Sequence, residues 1–219
     1  MIAALLLAAA PTIIAHMSEP TAIDAENVFA RDAQRMGQWA AFRKWSDHDA
    51  VMFTPQAVWA YGFLKDRKNP PRAVSWWPDR SFVSCDGRTT VNTGPAFRPD
   101  GTHYGRFNTV WQREKGQWRW VYDNGSDPQG KPSRTPQRPQ IVRASCRAKA
   151  PGAPVIGPPP LTSKKARTTP EDNGRGESAD KTLGWDWKVE KDGDHLLRVF
   201  LWNGRSYAQV MVTKVDAPK

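Results

Sequence analysis

The seventeen residues TVWQREKGQWRWVYDNG, 109–125, set three tryptophans and a tyrosine around a Lys115-Gly116 turn. Two runs rich in aromatic and branched residues, separated by such a pair, read as antiparallel strands joined by a tight hairpin. Side chains alternate along a strand, so Trp118, Trp120 and Tyr122 fall on one face and Arg119, Val121 and Asp123 on the other. On the preceding strand Phe107, Thr109 and Trp111 alternate with Arg106, Asn108 and Val110. One face of the pair must be buried. A stacking platform for nucleic-acid bases needs basic residues interleaved among the rings on the same face. Arg119 falls opposite Trp118 and Trp120, so a core or pocket wall is the better reading, and nucleic acid is not expected as a partner.

The surroundings extend this pattern. Thr21-Ala22-Ile23-Asp24 has capping-box spacing and announces a helix, in which Val28 or Phe29, Ala33 and Met36 recur at helical intervals. Gly37 interrupts it, and Trp39, Phe42 and Trp45 resume it on a second short helix. DAVMFTP follows as a brief strand, and 56–75 reads as a loop with a helical turn or two. DRSFVSC, RTTVNTGPAF, HYGRFNTVWQ and QWRWVYD are then punctuated by Asp86-Gly87, Pro99-Asp100-Gly101 and Lys115-Gly116, the signature of an antiparallel meander. Two helices and a curved antiparallel sheet make an α+β layer pair. Further on, LGWDWKVEKDGDHLLRVFLWNGRSYAQVMVTKV reads as three more strands, with a strong hairpin signal at Asn203-Gly204. So short a meander cannot bury a core of its own, and docking on the main sheet is expected.

Charge and cysteine usage bound the rest. The net charge is +10, but 128–170 alone holds nine basic residues, no acid and ten of the nineteen prolines. The remainder is close to neutral, so a basic proline-rich linker explains the charge better than a nucleic-acid face does. The apolar run Ile2 to Ala10 matches a signal-peptide core, with cleavage expected after Ala15, although no Lys or Arg precedes it. Nothing else is apolar enough to cross a membrane, so the chain is expected in the periplasm or outside the cell. Export favours pairing Cys85 with Cys146, the alternative being two free thiols. Two cysteines and four scattered histidines offer no metal-ligand spacing, and no cofactor motif is present. The expected organisation is a signal over 1–15, a cone over 18–127, a linker over 128–180 and a meander over 181–215.

FARDAQRMGQWAAFRKWSDHDAVMFTP with TVWQREKGQWRWVYDNGSDP resembles the nuclear transport factor two-like superfamily, most closely its SnoaL-like branch of small exported bacterial proteins. The matching elements are Asp49-Ala50-Val51-Met52-Phe53, Val110-Trp111-Gln112-Arg113 and Gly116-Gln117-Trp118-Arg119-Trp120. The resemblance covers residues 22–127 and implies helices wrapped by a strongly bent sheet, with a hollow recess at the open end. Phe53, Trp59, Tyr61, Trp76, Tyr104 and Trp111 are then the candidates to line it around a small apolar ligand. Similar folds often pair through the open sheet face, which makes a homodimer one expectation. The steroid isomerases of this fold carry a general-base aspartate where this chain has Thr54 before Pro55, and a threonine hydroxyl cannot serve as that base. The cyclases and dehydratases use acid–base residues inside the cone. Asp123 and His103 are the candidates here, with Asp127 nearby in sequence. Two functions follow, a non-catalytic binding domain and, as the alternative, an enzyme of cyclase, dehydratase or isomerase type.

Overall fold

Thr21 and Asp24 start the fold as their spacing predicts. The Asp24 amide donates to Thr21 Oγ1 at 3.2 Å, and the Thr21 amide donates to Asp24 Oδ2 at 2.8 Å. This box opens α1, Ala22–Met36. Gly37 then separates it from α2, Gln38–Trp45, with φ at +99°. A Cβ there would lie 2.1 Å from Asn69 Nδ2, so the break needs glycine on grounds of both backbone and space. The computed structural model describes residues 19–54, 56–126, 128, 130–159, 170 and 172–216. The expected signal segment and Asp127 lie outside these.

Three layers result. The central one is an eight-stranded sheet of β1 (Ser46–Phe53), β2 (Ala57–Trp59), β3 (Ser75–Trp76), β4 (Arg80–Val83), β5 (Thr89–Phe97), β6 (His103–Glu114), β7 (Gln117–Ser126) and β8 (Gln140–Arg143). Its order is β2-β1-β7-β6-β5-β4-β8, with β3 also paired to β5. β1 joins β7 and β4 joins β8 in parallel, and the other neighbours are antiparallel. On one face lie α1, α2 and α3 (Ala60–Leu64), around Phe29, Phe42, Trp76, Trp111 and Trp120. On the other lies a four-stranded antiparallel sheet of β9 (Asn173–Glu177), β10 (Leu183–Val189), β11 (His195–Trp202) and β12 (Tyr207–Val215). The class is α+β with a curved sheet, as expected.

The second sheet docks in cis. Val51, Phe82, Val91, Val110 and Tyr122 of the central sheet form one apolar layer with Leu183, Trp185, Trp187, Leu197, Val199 and Leu201. Cys85 and Cys146 are joined, with Cα atoms 5.3 Å apart across 61 residues of chain. A loop of that length is worth about 4 kcal/mol in the chain-entropy account. Polar contacts run beside the bridge, from the Cys85 amide to Thr182 Oγ1 and from the Asp86 amide to Asp180 Oδ2, both at 2.8 Å.

Two sequence expectations change here. The stretch 128–180, read as a linker, contains β8 and β9. QIVR borrows the open edge of β4, and Val142 and Ala144 reach the apolar layer between the sheets, which composition averaged over the whole stretch conceals. The meander therefore has four strands, not three. Its added strand, NGRGE, fits because Gly174 and Gly176 pair with Trp187 and Trp185. A Cβ on Gly176 would come within 2.1 Å of the Trp185 ring, and one on Gly174 within 2.7 Å of Trp187 Nε1. The indoles lie flat on bare backbone.

Gly176→Ala is accordingly expected to cost about 1–3 kcal/mol through overpacking against Trp185. Denaturant unfolding followed by tryptophan fluorescence checks this, and an unchanged midpoint would contradict the packing described.

Candidate functional site

The recess expected beneath the sheet is filled. Phe29 meets Phe42, Trp76 and Trp111 edge-on at 4.8, 4.9 and 6.0 Å, and Phe42 meets Trp120 at 6.0 Å. Among these rings sits one carboxylate, Glu26 of α1, with no exposed surface. Trp76 Nε1 donates to its Oε1 at 2.8 Å, and Trp111 Nε1 and Asn92 Nδ2 donate to its Oε2 at 2.6 and 3.3 Å. Asn92 also donates to the Ala22 carbonyl at 3.0 Å and accepts from Ser81 Oγ at 2.8 Å. Among the described residues no basic side chain takes part. Burial pushes Glu26 up to about 7, against the pull of the Trp111, Trp76 and Asn92 donors.

The face assignment along β7 needs correction from Val121 onward. Val110 pairs with Tyr122 while Trp111 pairs with Trp120, so Val121 is an extra residue on one strand. The bulge turns Tyr122 away from Trp118 and Trp120 and into the layer between the sheets. It also places Asp123 opposite Thr109, whose Oγ1 donates to Asp123 Oδ2 at 2.8 Å. Burial raises Asp123 to about 8, the Thr109 hydroxyl opposes the rise, and the negative charge of Glu26 adds to it. His103 does not join it. Its Nε2 donates to the Gly105 carbonyl at 2.9 Å, and six strand residues, about 20 Å, separate it from Thr109.

The six expected lining residues divide into three pairs. Trp76 and Trp111 meet on Glu26 in the core. Phe53 and Trp59 face the second sheet, Phe53 packing on Tyr122 at 5.7 Å and on Trp187 at 5.5 Å. Tyr61 and Tyr104 stand exposed, Tyr61 stacked on His48 at 4.6 Å and Tyr104 beneath the Arg98 guanidinium at 4.6 Å.

An open cleft of about 390 Å³ lies between the two sheets. Trp59, Tyr122, Trp185 and Trp187 supply aromatic wall, and Pro158, Pro159 and Pro170 close one side. Four carboxylates border it, Asp47 and Asp49 from β1, Glu114 from β6 and Glu177 from β9, against the guanidiniums of Arg119 and Arg175. Asp47, Asp49 and Val51 of β1 all face the cleft. Tyr122 is 1% exposed, and its hydroxyl is buried with no hydrogen-bond partner. Burial, and then the charge of Asp123, raises that phenol above its ordinary value.

The sequence reading missed Glu26 and the cleft. Glu26 had a signal, as a lone acid between Ala25 and Phe29 on the apolar face of α1. The cleft had one too, since the Gly-x-Gly spacing at 174–176 matches the Trp-x-Trp spacing at 185–187.

No family model and no curated protein matches this chain. Thirty chains of known structure do. One is a candidate ketosteroid isomerase from Shewanella frigidimarina, 12% identical with a TM-score of 0.37, over 50% of this chain and 98% of that one. Another is the association domain of C. elegans CaMKII, 13% identical with a TM-score of 0.30, over 46% of this chain and 97% of that one.

Glu26 and Asp123 hold protons more tightly folded than at their ordinary values of 4.5 and 3.8. The folded state thus binds more protons than the unfolded state from about pH 4 to 8, and stability should fall as pH rises across that window. We expect calorimetric Tm to drop on the order of 5 °C between pH 5 and 8, with Glu26→Gln flattening the slope. A Tm that rises over this range would refute the assignment.

Proposed function

We propose that this protein is an exported, non-catalytic binding domain that holds a small ligand between its two sheets, not inside the cone. The cleft itself carries the reading: an open recess of about 390 Å³ with Trp59, Trp185 and Trp187 in its wall and charged side chains along its border. The size of the cleft suits a small molecule, and mixed aromatic and polar walls are usual for such sites. The helical layer under a curved sheet fits the nuclear transport factor two-like resemblance, and the signal-like start together with the Cys85–Cys146 bridge supports export.

The acid–base alternative retains one supporting observation, the bulge that turns Asp123 inward. It requires Asp123→Asn to abolish turnover of a substrate that reaches the cone.

The test is Trp59→Ala, at the wall of the cleft. The variant should stay folded by circular dichroism and bind less tightly any ligand found by thermal-shift screening of the parent. A folded variant that keeps full affinity would overturn the reading.

A further inference from the structure

Among the described residues the cleft has an acidic border, in a basic protein. Four carboxylates and two guanidiniums border it, and no lysine does so among the described residues, whereas the whole chain carries +10. The positive charges are also partly engaged elsewhere. Arg119 turns back on its own strand, donating to the Trp118 carbonyl at 3.4 Å and to Gln117 Oε1 at 3.1 Å. Arg175 is exposed on β9. The carboxylates are engaged locally too, Asp47 Oδ1 accepting from the Asp49 amide and Glu177 Oε1 from the Ala153 amide, yet each keeps a second oxygen. Below them the wall is aromatic.

Each ligand class meets these walls differently. An anion would face a carboxylate majority. A neutral apolar molecule would strip water from the carboxylates and return no hydrogen bond. An ammonium or guanidinium group suits both kinds of wall, because its N–H groups donate to carboxylates and aromatic faces attract its charge. The rest of such a ligand must be apolar, since indole and proline form the remaining wall.

We propose that the cleft selects an organic cation: an amine or guanidine on a small apolar body. The body lies against Trp59, Trp185 and Trp187, and the charge faces Asp47, Asp49 and Glu177. This rests on the reading of the cleft as the binding site, and the experiment separates the two.

Three probes of matched shape suffice, phenethylamine as the cation, 2-phenylethanol as the neutral form and phenylacetate as the anion. Binding to the full chain is followed by saturation-transfer NMR and calorimetry. The expected order is amine over alcohol over acid, with the amine affinity falling as salt is added and the alcohol affinity unchanged. Asp47→Asn with Asp49→Asn should weaken the amine about fivefold and leave the alcohol unaffected. Trp59→Ala should weaken both, with circular dichroism confirming that each variant is folded. If the alcohol or the acid binds as well as the amine and Trp59→Ala weakens it, selection of cations is refuted and the cleft reading stands. If no probe binds, or Trp59→Ala changes nothing, both fall.

Discussion

The helical layer is attached to the sheet by a carboxylate. Glu26 leaves α1 on its apolar face and receives N–H groups from β3, β5 and β6 through Trp76, Asn92 and Trp111. The donors are mostly indoles, which supply a hydrogen bond at the tip of a large apolar body. The same residues therefore fill the space under the sheet and satisfy the carboxylate of Glu26. Asn92 continues the contact to the Ala22 carbonyl at the start of α1, which the Thr21 box has already fixed. A buried network of this kind is stable only when each member is satisfied, and it sets the register of α1 against three strands at once.

Filling the cone moves the search for a site to the other side of the sheet. There the bulge at Val121 matters most. It sends Tyr122 to the layer between the sheets, beside Val51 and Trp187, and turns Asp123 toward Thr109. One added residue thus exchanges the environments of a phenol and a carboxylate.

Much of the fold was legible from local chemistry. The Thr21 box, the break at Gly37, the Lys115-Gly116 hairpin and the cis docking of the last strands all follow from short-range patterns that the structure repeats. Lys115 even takes a positive φ of 48° beside Gly116 at 80°, as the tight hairpin demands. The site was less legible because it depends on long-range pairing. Strict alternation along QWRWVYD puts Tyr122 with the tryptophans, and only the register against β6 reveals the extra residue. NGRGE looks like linker until the indoles of β10 are laid across it. The position of Glu26 on the apolar face of α1 marks it as buried, but its partners Trp76 and Trp111 lie 50 and 85 residues away, beyond any local pattern.

The placement of the second sheet also bears on behaviour in dilute surroundings. A curved sheet with one bare apolar face would need another molecule to cover it, and its cohesion would weaken as the protein became scarce. Here the cover belongs to the same chain, so its local concentration is set by the connecting segment, and a disulfide fastens the chain just after β8 to the end of β4. A protein released singly into a large volume would keep its architecture however few copies were present.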